Sequence, residues 1–112
     1  MSKAFVWFHN GTEQQSAALK FYQELLGWQT ADGPPGMHML AGEHGPFAAI
    51  GKQEGGVSGW VPYVQVDDVD SATKQATSLG ARILQPKTKG PAGQYTLVRD
   101  PGGAAIALWQ QA

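Results

Sequence analysis

Leu26-Gly27-Trp28-Gln29 recurs 53 residues downstream as Leu79-Gly80-Ala81-Arg82. At both places a run with helical periodicity stops at a glycine and a strand-like stretch follows. Glycine suits that stop because it takes the left-handed C′ conformation without a Cβ clash. Before Gly27, the residues Ala18, Phe21, Tyr22, Leu25 and Leu26 fall on one apolar helical face. Before Gly80, Val69, Ala72, Ala76 and Leu79 do the same. Thr12-Glu13-Gln14-Gln15 has the spacing of a capping box for the first helix. Asp67 or Asp68 can cap the second.

Outward from these anchors the two halves match. Phe5-Val6-Trp7-Phe8-His9 is β-branched and aromatic, and reads as a strand buried on both faces and ended by Asn10-Gly11. Trp28-Gln29-Thr30 begins a second strand before the Gly33-Pro34-Pro35-Gly36 break. Residues 37–41 and 47–52 form a hairpin around the turn at 42–46. In the second half, residues 60–66 read as a strand, with Pro62 tolerable only near its start or on an edge. Arg82-Ile83-Leu84 is a short strand, and residues 85–93 a Pro-, Gly- and Lys-rich loop that can act as a lid or a solvated loop. Residues 95–99 and 104–109 close the chain as a hairpin around Asp100-Pro101-Gly102-Gly103, with Pro at the second turn position and Gly at the third. The reading is one domain over residues 1–112, with module 1 at about 3–53, a linker at 54–59 and module 2 at about 60–110. A unit of about 50 residues cannot bury its own apolar faces alone. Two units together can, with helices on the outer faces and the inner faces turned to a shared cavity.

Composition narrows the function. The 112 residues suit a single domain. A net charge of −1 with scattered charges argues against a nucleic-acid partner. Without cysteine, no disulfide, thiolate metal site or cysteine nucleophile is available. The apolar run from Ala4 to Phe8 is too short for a signal segment or a membrane span, so a cytoplasmic protein with no membrane contact is expected.

Phe21-Tyr22, Leu25-Leu26-Gly27-Trp28, Tyr63-Val64-Gln65-Val66-Asp67-Asp68-Val69, Leu79-Gly80-Ala81 and Asp100-Pro101-Gly102-Gly103-Ala104 together resemble the vicinal oxygen chelate superfamily. That superfamily holds glyoxalase I, extradiol dioxygenases and bleomycin-resistance proteins. The chain is most similar to its glyoxalase-like branch, which includes hydroxylases assigned to antibiotic biosynthesis. The resemblance runs from about Phe5 to Trp109. It implies an α+β fold of two βαβββ modules, a curved mixed sheet around a cavity, and a homodimer.

The resemblance also implies a divalent ion held by His or Glu on four inward-facing strands, with donors converging within about 2.0–2.6 Å. Carried onto this chain, the four positions fall on Trp7, Gly51, Val61 and Ala107, none of which can bind a metal. A slip of a residue or two recruits only His9, on the same strand face as Trp7 by period two. No metal and no cofactor is therefore expected.

His38 alternates with two methionines, and Glu43 and His44 sit in a predicted turn. Asp67, Asp68 and Asp70 are explained by capping and the helix dipole, and no serine lies in a nucleophile elbow. Trp7, Trp60, Tyr63, Tyr95 and Trp109 lie on strands expected to line or border the cavity. Alternation puts Trp7, Tyr63, Gln65 and Trp109 inward, with His9 as the histidine placed to hydrogen-bond a ligand or to act as a catalytic base. Aromatic walls with a few polar tips suit a small, flat organic ligand. Three readings stay open: a metal-independent binder of such a ligand, a metal-dependent lyase, isomerase or dioxygenase with a non-standard site, and an interaction module whose cavity has filled with core.

Overall fold

The computed structural model describes residues 3–112. Its elements are β1 (Phe5–Gly11), α1 (Gln15–Leu26), β2 (Gln29–Ala31), β3 (His38–Gly42) and β4 (Gly45–Gly51), then β5 (Gly59–Gln65), α2 (Val69–Ser78), β6 (Arg82–Lys89), β7 (Gly93–Arg99) and β8 (Ala105–Gln111). The order βαβββ thus occurs twice, and the fold is α+β as expected. Two compact units are distinguished, one of Trp7–Trp60 and one of Val61–Ala112 with the start of the chain up to Val6.

In the unit Trp7–Trp60 the strand order is β2-β3-β4-β1. β1 and β4 run parallel, in the register Phe8↔Ala48 to Gly11↔Gly51. β3 pairs antiparallel with both β2 and β4. Buried Leu40, Ala48 and Ile50 form the core, and Ala18, Leu19, Tyr22, Trp28 and Phe47 pack onto it. Gly27 ends α1 in the left-handed conformation (φ 71°), its N–H donating to the Gln23 carbonyl. That expectation is met.

Three others are not. The capping box is absent: Gln14 occupies the N-cap position with no side-chain cap. The Thr12 N–H donates to the Gly51 carbonyl at 2.9 Å, so its backbone still belongs to the sheet when a cap would be needed. Its hydroxyl accepts instead from the Gln14 N–H, a local Ser/Thr turn. β1 is likewise not buried on both faces, nor does it stop before Asn10-Gly11. Phe5, Val6 and Phe8 are exposed, and burial starts at His9. Finally, Phe21, Leu25 and Leu26 point outward. Tyr22 is stacked on Trp28 (centroids 5.1 Å) and meets Trp60 edge-on, so rings engage this side of the helix in place of Leu25 and Leu26.

In the unit containing Val61–Ala112 the strand order is β5-β8-β7-β6. β5 and β8 are parallel, Tyr63↔Ala107 to Gln65↔Trp109, and the other pairs antiparallel. α2 covers one face through Val69, Ala72 and Ala76, against Val64, Val66, Val98, Ile106 and Leu108. Asp68 caps α2 as expected, its Oδ1 accepting from the Asp70 and Ser71 N–H groups. The Val69 N–H donates to Gln110 Oε1, so the sheet satisfies another first-turn amide.

Leu79, expected on the buried face of α2, is 70% exposed. The reason is the helix stop. Gly80 N–H donates to the Thr77 carbonyl and Ala81 N–H to the Ala76 carbonyl, the paired bonds of a Schellman motif. Gly80 adopts φ 101°, and the chain reverses so that Ala81, not Leu79, meets the core.

The loop expected at 85–93 is mostly strand. β6 runs to Lys89, with register shifts on either side of Gln85, and the Lys87 ammonium pairs with Asp70 at 3.1 Å. Pro86 is tolerated because β6 is an edge strand within its unit and the ladder is irregular there. The closing turn holds, but the positive φ falls on Gly103 and not on Gly102. Asp100 Oδ1 accepts from the N–H groups of Gly102 and Ala104, fixing the turn from inside.

Asp68→Ala should destabilise the protein by about 1 kcal/mol through loss of the cap, lowering the melting temperature by roughly 4 °C. Thr12→Ala should cost clearly less, since Thr12 caps no helix. Equal losses in thermal unfolding would contradict this assignment of the caps.

Candidate functional site

Strand alternation sets the candidate site in the unit of Val61–Ala112. Val64, Val66, Val98, Ile106 and Leu108 face α2. Their neighbours Tyr63, Gln65, Tyr95, Leu97, Ala107 and Trp109 therefore share the opposite face. Registers bring them together: Trp109 lies opposite Gln65 on one side and Tyr95 on the other, and Ala107 lies opposite Tyr63 and Leu97. The Tyr63 and Tyr95 rings are 5.7 Å apart, tilted by 43°.

This face is graded in depth. Ala107, Leu97 and Tyr95 are buried and form an apolar floor. Tyr63 and Trp109 are half-buried, so parts of both rings meet solvent. Gln65 and Gln111 are exposed at the rim, with Gln65 Nε2 donating to Gln111 Oε1 at 3.3 Å. The Val66 N–H donates to the Trp109 carbonyl, which ties the end of β5 to β8 beneath the two amides. Three of the expected contact residues, Tyr63, Gln65 and Trp109, thus sit on one surface. Gln111 was not expected there, although counting two on from Trp109 would have found it.

Trp7 and His9 belong to the other unit. His9 is only 7% exposed. Its Nε2 lies 3.2 Å from the Lys52 carbonyl, which can only accept, so Nε2 carries the hydrogen. The ring packs on Gly51, where an added Cβ would stand 2.9 Å from His9 Cε1. Trp60, expected at a cavity border, takes another role: its Nε1–H donates to the Tyr22 hydroxyl at 2.9 Å. Trp28 and Phe47 complete this ring cluster, with centroids 4.8 Å apart. Trp60 has the parity of Val64 on β5, a signal in the sequence that it would lie off the Tyr63 face.

The four positions at which the family pattern places metal ligands do not supply a donor set. Trp7, Val61 and Ala107 have no coordinating atom, Val61 and Ala107 are buried, and the space beside Gly51 is filled by the His9 ring. Among the described residues no three of His, Asp and Glu converge. The residues present do not fit the divalent ion of the superfamily's enzymes. An open trough of about 440 Å³ runs along α2 between Val66, Ala72, Ala76 and Leu79. Asp68 on its edge is engaged in capping. Among the described residues no helix is long and apolar enough to cross a membrane.

The doubled βαβββ order is the architecture of one known class of protein. Residues 6–108 match the model of the Glyoxalase/Bleomycin resistance protein/Dioxygenase superfamily, and the chain belongs to that superfamily. It is 36% identical over 115 residues to CFP32 of Mycobacterium bovis, provisionally named a glyoxylase, covering 93% of this chain and 44% of that protein. It is 28% identical over 126 residues to the anthracycline biosynthesis protein DnrV of Streptomyces peucetius, covering 94% of this chain and 46% of DnrV. The chain therefore spans less than half the length of these curated relatives. A glyoxalase/bleomycin resistance protein/dioxygenase superfamily member from Vibrio splendidus 12B01 superposes with a TM-score of 0.69 at 13% identity, over 99% of this chain and 100% of that one. That likeness is one of fold.

Gly51→Ala should destabilise by about 1–3 kcal/mol, because the new methyl must displace the packed His9 ring. In the His9→Ala background the same change should cost much less. A double-mutant cycle in urea unfolding measures this coupling, and additive losses would show that His9 is not what makes residue 51 a glycine.

Proposed function

We propose that this protein binds a small, flat, aromatic organic molecule on the face of Tyr63, Gln65 and Trp109, and that binding needs no metal. The observation that carries the reading is the gradation of that face, from an apolar floor through two half-buried rings to an amide rim. Apolar sites with a few placed polar groups are the usual design for small organic ligands. A ring stacked on Trp109 gains about 0.5–1.5 kcal/mol beyond its burial. DnrV, named for anthracycline biosynthesis, adds support, since anthracyclines are flat aromatic compounds. The lack of convergent donors among the described residues supports the metal-free form of the proposal. A cytoplasmic location belongs to the same reading, in keeping with a chain free of cysteine.

The proposal includes a homodimer. Phe21, Leu25 and Leu26 leave large apolar side chains exposed on one short helix, Leu25 by 64%. Contiguous exposed apolar surface of this kind commonly marks an association site.

Two measurements test this reading. Elemental analysis after dialysis against Ni²⁺, Mn²⁺, Fe²⁺ or Zn²⁺ should find less than about 0.1 ion per chain, since a functional site binds stoichiometrically. A value near one ion per chain would turn the assignment toward a metal-dependent enzyme. In sedimentation, Leu25→Glu should shift the protein toward monomer without lowering its melting temperature by more than about 1 °C, as for a surface change. A native chain monomeric at high concentration would end the dimer proposal.

A further inference from the structure

The face of Tyr63 and Trp109 carries, beyond its rings, a pattern of charge and hydrogen-bonding groups that bears on which ligands it admits. Along the four strands of this unit, the side chains at its register positions are Tyr63 and Gln65 on β5, Trp109 and Gln111 on β8, Tyr95 and Leu97 on β7, and Gln85 and Thr88 opposite them on β6. None of these is a carboxylate, imidazole, ammonium or guanidinium. Arg82 on β6 pairs with Arg99 on β7 at the same parity, but Arg99 lies four residues from Tyr95, about 14 Å along the strand. Its guanidinium donates to the Gly103 carbonyl at 2.7 Å. Asp67, two residues beyond Gln65, lies past the end of β5 and lines the trough along α2.

The polar groups that remain are amides and hydroxyls, and two of the amides are already paired. Gln65 Nε2 donates to Gln111 Oε1, which brings the two carboxamides together. That bond leaves Gln65 Oε1 as an acceptor, and the second Gln65 N–H and Gln111 Nε2 as donors. A carboxylate set against this rim would lose hydration and find no cation in exchange. A group with one N–H donor beside one carbonyl acceptor would satisfy the acceptor and a donor at once.

We propose that the Gln65–Gln111 pair selects uncharged planar ligands that present a carboxamide-type edge, with an adjacent N–H and C=O, while their ring stacks on Trp109 and Tyr63. This deepens, and rests on, the reading of this face as an aromatic binding site. It makes Gln65 and Gln111 determinants of specificity and leaves most of the affinity to the rings.

The test compares 2-naphthamide with 2-naphthoate, which share a ring and differ in charge and in the donor. Isothermal titration of the full chain should show 2-naphthamide binding at least tenfold more tightly. Gln65→Leu and Gln111→Leu should abolish that ratio while 2-naphthoate still binds, and Gln111→Lys should reverse it. Both glutamines are exposed, so unchanged melting temperatures verify that the variants fold. Trp109→Ala should weaken both probes. If native protein binds 2-naphthoate as tightly as the amide, or the leucine variants keep the preference, the selectivity is refuted while the aromatic site stands. If neither probe binds at millimolar concentration, both fall. If 2-naphthamide binding fades as protein concentration rises and Gln65→Leu disrupts self-association, a second copy of the chain occupies the face and the proposal is overturned.

Discussion

Within each unit the four strands of the sheet have a single helix to cover them, and that shortage governs the rest. A sheet has two faces, and strict alternation sends every second side chain to each. One helix buries one face. In the unit of Val61–Ala112, α2 takes the face of Val64, Val66, Val98 and Leu108. The other face receives the odd-numbered partners of β5 and β8, and there the sequence places aromatics and amides where an ordinary core would have aliphatics. That second face is where the unit differs from a plain sheet, and the fold's contribution is to hold it in register.

The glycine-terminated helices were plain in the sequence because the physics is local. A left-handed C′ residue and a Schellman bond pair need only a few neighbouring residues to be right, and Gly27 and Gly80 supply the conformations directly. The Asp68 cap is equally local. What could not be read were features decided by distant partners. Thr12 has the composition of an N-cap, but its N–H is engaged by the Gly51 carbonyl from β4. Leu79 lies at the right spacing for the face of α2, but the reversal at Gly80 presents Ala81 in its place. Pro86 and two lysines read as a loop, and irregular pairing with β7 makes them strand.

The candidate site shows the same division. Alternation counted from strand to strand was enough to put Tyr63, Gln65 and Trp109 on one face, because period two survives any arrangement of the neighbours. It could not reveal that Gln65 would find Gln111, since a side-chain hydrogen bond depends on how far β8 extends past Trp109. Parity sets Trp60 off the Tyr63 face, but it could not show that Trp60 would join the ring cluster of Tyr22 and Trp28, a choice made by an element 38 residues earlier in the chain.

His9 and Gly51 bring the argument to chemistry. Gly51 stands where the superfamily's pattern would set a metal ligand, and its missing side chain is replaced by the imidazole of His9 from the neighbouring strand. The one residue that might have been recruited as a ligand thus fills the room another ligand would need, with its Nε2–H turned to the Lys52 carbonyl. Any side chain at position 51 would force the ring aside, so donors cannot be introduced at the two places independently. Packing has closed this route to coordination in the unit of Trp7–Trp60. In the other unit, Val61 and Ala107 close it by being apolar and buried. On the face of Trp109 the side chains this unit presents are rings, apolar residues and uncharged amides.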